Sequence, residues 1–289
     1  MMEKPIETIV EEYRGRRLTR RDFFARLIAV TGSYATAQLL LERTGLAATL
    51  ISEVESQAAN VDSATVEYLN GEIKLSGYLS KPKAKGKYPA IIVIHENRGL
   101  NDHTRDVARR FAANGFVALA IDALARKGGT AAQDTPEKVR DAFAAIPVAD
   151  VISDLNAGLA YLNTHPNVKK DRLASIGFCW GGARSFLLST EANKLRAAVV
   201  FYGTPPTDEQ LAKAHCPVFG CYGETDTRIT STVPTVEATM KKLNKSYAYK
   251  IYKGAGHAFF NDTNAQRYNA EAATDAWAQT LAFLQKNLK

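Results

Sequence analysis

A chain of 289 residues with 46% hydrophobic and 23% charged residues can bury a substantial core without metals or disulfides. Its three cysteines are too few and too scattered for a disulfide framework, and no CxxC pair points to zinc. The net charge of +7 is spread along the chain apart from one arginine-rich cluster at 14–26, and no zinc-finger, helix-turn-helix or aromatic-plus-basic pattern accompanies it, so nucleic acid is not an expected partner.

The first sixty residues read differently from the rest. Thr19-Arg20-Arg21-Asp22-Phe23-Phe24 resembles a twin-arginine export signal, and the uncharged stretch 27–41 has the length of a signal core but is too short and polar for stable membrane insertion. Ala58-Ala59 stands near a possible cleavage position. Glu42-Arg43 interrupts the region before that position, which favours a helical arm retained on a cytoplasmic protein over export to the periplasm. The partition is an arm over 1–62 and one catalytic domain over 63–289.

From residue 63 the periodicity changes. Alternating apolar and polar residues at 64–69 and 74–80 flank Asn70-Gly71, which predicts an antiparallel hairpin. Continuous apolar runs at 90–94, 117–121, 173–176, 198–202 and 218–222 predict strands buried on both faces, and 247–252 a last strand. Helical stretches around 105–113, 148–162, 183–188, 233–243 and 270–288 alternate with them. The expected class is α/β, a mostly parallel sheet covered on both faces, whose ligands bind at the carboxyl ends of the strands.

The chemistry gathers at those strand ends. Gly177-Phe178-Cys179-Trp180-Gly181 falls between a predicted strand and a predicted helix, with the G-x-nucleophile-x-G spacing of a nucleophile elbow and cysteine as nucleophile. The glycines leave room for the strand-to-helix crossing, and the partial positive charge of the helix start favours thiolate. His257 lies on a glycine-rich loop after the last strand, where imidazole can take and return a proton near neutral pH. Asp226 follows the strand ending at 222 and is placed to orient that imidazole, with Glu224 as the competing carboxylate. The chain order Cys179, Asp226, His257 is the nucleophile–acid–histidine order of α/β-hydrolases. His95 and His103 lack helical spacing and a third ligand, so no metal is expected, and no cofactor is implied. After the first parallel strand, His95-Glu96-Asn97-Arg98-Gly99 occupies the loop that supplies one oxyanion-hole amide in this fold. The backbone N–H groups of Asn97 and Trp180 are assigned to that hole.

With Glu96, the cysteine elbow, Gly-Glu-Thr-Asp226 and Gly-His257-Ala-Phe in this order, the chain resembles the dienelactone hydrolase (carboxymethylenebutenolidase) family from about residue 63 to 288, within a subgroup bearing an N-terminal arm. The resemblance implies an α/β-hydrolase fold and hydrolysis of a small-molecule ester or lactone through a thioester acyl-enzyme. It makes Glu96 a gate that helps generate the Cys179 thiolate when substrate arrives; the alternative is a carboxylate paired with Arg98 or another cation. It also implies an arginine clamp for a substrate carboxylate, matched by Arg126 in Asp122-Ala-Leu-Ala-Arg126, whereas the uncharged Asn261 stands near the second clamp position; Arg126, Arg98 and Asn261 are the candidate substrate-binding residues. Arg98 is the candidate replacement; without one, selection for an anionic substrate should be weaker. A broader acyl hydrolase of thioesterase or peptidase type and a non-catalytic binding module remain open, as does the oligomeric state.

Overall fold

The computed structural model describes residues 3–14, 18, 20–31 and 60–289. Its sheet begins with the hairpin of β1 (Val61–Asn70) and β2 (Ile73–Pro82), antiparallel and in register from Val61↔Pro82 to Asn70↔Ile73. Six more strands follow: β3 (Tyr88–Ile94), β4 (Val117–Ile121), β5 (Val168–Phe178), β6 (Leu195–Phe201), β7 (Val218–Gly223) and β8 (Tyr247–Tyr252). They lie in the order β1-β2-β4-β3-β5-β6-β7-β8, with β2 antiparallel to both neighbours and β3 to β8 parallel. This is the α/β-hydrolase architecture expected from the alternation of strands and helices.

The longer helices are α1 (Glu3–Arg14), α2 (Arg20–Thr31), α3 (Asp102–Ala113), α4 (Pro136–Ala144), α5 (Val148–Thr164), α6 (Trp180–Glu191), α7 (Val233–Lys242) and α8 (Ala270–Asn287). The unbroken apolar runs of the strands serve two cores at once, because successive side chains point to opposite faces. Ile91 and Val93 of β3 pack with Val107 and Phe111 of α3 and Trp277 of α8, whereas Ala90, Ile92 and Ile94 pack with Leu155 and Leu159 of α5 and Phe186 of α6. Each of these side chains is buried, so the parallel strands are packed on both faces.

Helix α4 falls outside the elements expected from periodicity. Its signal lies in the cap: Thr135 accepts the Lys138 N–H and Pro136 opens the first turn. The arm residues Ile9, Val10, Tyr13, Phe23 and Leu27 join the α3/α8 core, with Tyr13 stacked on Phe23 at 4.2 Å and facing Tyr268 at 6.3 Å. Residues 32–59, which hold most of the apolar stretch and the possible cleavage position, lie outside the described residues. Among the described residues no single helix is long and apolar enough to cross a membrane.

Candidate active site

Between β4 and β5 the order of strands reverses around β3, and the crevice beyond their carboxyl ends is the ligand position of an open α/β sheet. Glu96 follows β3, Cys179 follows β5, Tyr202 follows β6, Asp226 follows β7 and His257 follows β8. The parallel sheet therefore delivers side chains distant in sequence to one edge.

Cys179 sits at the junction of β5 and α6 with φ 54° and ψ −112°, a left-handed conformation that a non-glycine residue holds only under constraint. The constraint is visible on both sides. Its N–H donates to the Phe201 carbonyl at 3.0 Å, and its own carbonyl accepts from Ala183 at 3.1 Å. A Cβ on Gly177 would land on the Gly181 carbonyl, and one on Gly181 would land on the carbonyls of Ile94 and His95. Only glycine permits helix α6 to press this closely against the strand ends. The thiol is half-buried, and burial, followed by the Glu96 carboxylate, pushes its pKa up; the Trp180 N–H and Arg228 pull the other way. The net direction keeps a protonated thiol at rest near neutral pH.

His257 and Asp226 are brought together as an oriented pair. His257 Nδ1 lies 2.5 Å from Asp226 Oδ2, with the two loops laced by Gly254 N–H donating to Glu224 Oε2 at 2.8 Å and Thr225 N–H donating to the Ala255 carbonyl at 2.9 Å. Glu224, the competing carboxylate, thus ties the acid loop to the base loop. With Nδ1 engaged by the carboxylate, Nε2 is the nitrogen left to exchange a proton.

Glu96 is buried and takes hydrogen bonds from two neutral donors. Tyr202 Oη donates to Oε1 at 3.2 Å and Asn261 Nδ2 donates to Oε2 at 2.6 Å. Neither partner was foreseen: Asn261 was read as a substrate contact, and Tyr202 escaped notice as the end of an apolar strand. Tyr202 also adopts a positive φ of 39°, and its ring lies 5.1 Å from that of His257. Burial, then the charge of Glu96, raises its phenol well above the ordinary tyrosine range, so it is a donor at any working pH. Arg98 is exposed on the loop and does not provide the pairing considered for Glu96.

The loop carrying Glu96 is itself fixed by His95. The Ala123 N–H donates to His95 Nε2 at 3.2 Å, which leaves Nδ1 as the donor to the Glu96 carbonyl at 2.6 Å. Burial lowers the pKa of this histidine, so the neutral tautomer persists. Its ring stacks on Trp180 at 5.6 Å, and Phe143 of α4 covers the indole at 4.7 Å. Asn97, the other oxyanion candidate, is exposed on the same loop.

Arg126 departs from the expected clamp. Its guanidinium makes a two-pronged pair with Asp154 of α5, Nε to Oδ2 at 2.6 Å and Nη2 to Oδ1 at 2.8 Å, with Asp150 at 3.8 Å. Helix α5 supplies this carboxylate from 28 positions away, where no local pattern reveals it. Both positions matched to the carboxylate clamp are therefore engaged by the protein itself. Among the described residues no cluster of histidine, cysteine and carboxylates could hold a metal ion.

Comparison with known proteins agrees with this architecture. The model of the "Dienelactone hydrolase family" matches residues 75–288. A Synechocystis protein named as a carboxymethylenebutenolidase is 35% identical over 80% of this chain and 99% of its own length. A Bradyrhizobium protein named as a 2-oxo-3-(5-oxofuran-2-ylidene)propanoate lactonase is 35% identical over 76% of this chain and 92% of its own. A Klebsiella pneumoniae crystal structure described as a dienelactone hydrolase superposes with a TM-score of 0.73 at 29% identity, covering 78% of this chain and 99% of that one.

Proposed function

Because the chain belongs to the dienelactone hydrolase family and is thus a hydrolase, we propose that it opens small esters or lactones with Cys179 as nucleophile, His257 as base and Asp226 as orienter. The observation that supports this reading most is the placement of a positive-φ elbow cysteine after β5 and of a histidine–carboxylate pair at 2.5 Å after β8 and β7, all at the carboxyl ends of one parallel sheet.

The proposed steps apply general nucleophilic acyl-transfer chemistry to these residues. As Sγ attacks the carbonyl carbon, the half-buried thiol gives up its proton, which His257 receives. The carbonyl π pair moves to oxygen, where the N–H groups of Trp180 and Asn97 receive it. Collapse breaks the acyl–oxygen bond, and protonated His257 gives its proton to the leaving alkoxide. In a lactone that hydroxyl remains on the acyl chain, so the intermediate is a ring-opened thioester. His257 then deprotonates water for attack on the thioester, and the Cys179 thiolate leaves and is reprotonated. Glu96, held by Tyr202 and Asn261, keeps the resting thiol protonated and therefore protected from alkylation and oxidation. The Bradyrhizobium relative's name describes a lactone with an appended propanoate, which makes unsaturated lactones the first substrates to test. Packing of the arm on the α3/α8 core supports its retention on a cytoplasmic protein, which N-terminal sequencing of the native protein checks.

The deciding experiment is turnover of p-nitrophenyl acetate and a lactone panel by wild type and Cys179→Ala. The variant should lose about 10,000-fold or more in kcat/KM. Retention of wild-type rates, or no turnover by wild type, sinks the assignment.

A further inference from the structure

The loop after β3 is held at both ends. His95 and Glu96 are buried at its start, Gly99 and Leu100 at its close, and only Asn97 and Arg98 between them are exposed. The start is fixed by the Ala123 N–H, which donates to His95 Nε2 at 3.2 Å. The close is fixed from the same side through Thr130, whose Oγ1 accepts the Leu100 N–H at 2.9 Å and donates to Asp122 Oδ1 at 2.7 Å. Asp122 stands directly after β4 and takes two further donors, the Thr130 N–H on Oδ2 at 2.7 Å and the Leu124 N–H on Oδ1 at 3.0 Å. Gly128 and Gly129, at φ 86° and 88°, turn the chain back so that Thr130 meets this carboxylate. The fit is close, because a Cβ on Gly99 would land on Thr130 Oγ1. Three donors converge on Asp122, which a carboxylate satisfies and an amide does not, since its NH2 would face one of them. Thr130 must accept from Leu100 and donate to Asp122 through one atom, which calls for a hydroxyl.

We propose that Asp122 and Thr130 are positioning residues of the oxyanion hole: they hold the Asn97 N–H in place for the carbonyl oxygen without touching substrate, a role that rests on reading Asn97 and Trp180 as the hole's two donors. The Trp180 N–H belongs to the elbow and is placed by α6. The Asn97 N–H sits in a two-residue arch and has only the footings of that arch to place it. Charge develops on the carbonyl oxygen only as Sγ attacks, so a displaced donor lowers kcat more than it raises KM. The segment from Asp122 to Arg126 drew notice for its arginine, yet Arg126 serves Asp154 while Asp122 serves the loop after β3, through a threonine 30 positions from Leu100.

The test is the pair Thr130→Val, which keeps the shape and removes the hydroxyl, and Thr130→Ser, which keeps the hydroxyl. On p-nitrophenyl acetate Thr130→Val should lower kcat by about 10-fold with KM within about threefold, and Asp122→Asn should follow it. Thr130→Ser should stay within about threefold of wild type. Two further readouts separate positioning from a general loosening of the site. Alkylation of Cys179 by iodoacetamide forms no oxyanion, so its rate and pH midpoint in Thr130→Val should match wild type. Hydrogen exchange in peptides covering 95–101 should quicken in Thr130→Val and recover in Thr130→Ser. A shifted alkylation midpoint would show that the brace acts through Glu96 and overturns the proposal. So does an unchanged kcat in Thr130→Val and Asp122→Asn, a loss that Thr130→Ser shares, or exchange that does not respond. Failure of the hydrolase reading shows elsewhere, as turnover that survives Cys179→Ala or is absent from wild type. Either result withdraws the oxyanion role, whatever the exchange data say of the loop.

Discussion

Two histidine–aspartate pairs hold this molecule together in different senses, His257–Asp226 at the strand ends and His103–Asp262 beneath them. The contacts are of one kind, 2.5 Å and 3.1 Å between Nδ1 and a carboxylate oxygen. Their surroundings are not. The His257 side chain is 20% exposed, borders a cavity and lies against the Tyr202 ring, so protons and substrate can reach it. The His103 side chain is 1% exposed, edged by Phe178 and Phe260, and its Nε2 is buried without a hydrogen-bond partner. Its Asp262 also receives Arg110, which reaches on to Asp106 in the first turns of α3. A pair closed off from solvent and substrate acts as a strut. Here it anchors the segment next to Asn261, and so the far end of the hydrogen bonds that hold Glu96. Access, rather than the pair itself, separates a histidine that a substrate can reach from one that only braces the fold.

That distinction is open to direct attack. The largest expected effect is on turnover: His257→Gln should lower kcat/KM by about 1,000-fold with Tm moving by about 2 °C or less. His103→Gln should do the reverse, leaving turnover within about threefold while destabilising the fold by about 2 kcal/mol. Urea unfolding together with ester kinetics on both variants checks this, and matched losses in both properties would erase the difference between the pairs. Next in size is thiol reactivity. Brief iodoacetamide treatment of the native protein should label Cys179 about tenfold or more faster than Cys216 or Cys221, read by peptide mass spectrometry. Both of those cysteines are buried, and burial pushes the Cys216 thiol up to about 12. Faster labelling of either would remove the reactive thiol from the open site.

Smaller effects sharpen the link between strut and gate. Glu96 raises the Cys179 thiol pKa, so Glu96→Gln removes a negative charge beside a forming thiolate. The midpoint of alkylation against pH should move to lower pH in this variant, even as turnover falls by about fivefold. An unchanged or higher midpoint would show that Glu96 does not act on the sulfur. Asn261→Ala leaves Glu96 with Tyr202 alone and should cost about threefold in kcat/KM, consistent with one hydrogen bond to a carboxylate.

The parts of this protein that were readable in advance share a physical cause. Doubly buried strands must be apolar on both sides, so β3, β4 and β7 stood out, and the hairpin declared itself by alternation around Asn70-Gly71. Cys179 was legible because a steric crossing demands glycines at fixed spacing, and Asp226 and His257 because each follows a strand in a fixed order. Partners chosen across the fold left no such mark. Tyr202 lies 106 positions from Glu96 and reads as the last residue of an apolar run, and Asn261 lies 165 positions away. Arg126 looked like a substrate contact because its own segment says nothing of Asp154. Helix α4 was missed for a different reason: its Thr135-Pro136 cap was visible, but only Val139 along it is buried, so periodicity had little to register.

The glycine contacts at the elbow have a consequence for how the site comes into being. Gly181 is wedged against the carbonyls of Ile94 and His95, some 86 positions earlier, and the Cys179 N–H is held by Phe201 from the following strand. The turn is therefore a product of three strands already aligned, and no local preference of its sequence would hold a cysteine at φ 54° in a nascent chain. The elbow geometry has no support until β3, β5 and β6 are aligned. A chain in which any one of these strands is unpaired would therefore carry Cys179 as an ordinary, unprotected thiol, and the burial that raises its pKa comes only with the completed sheet.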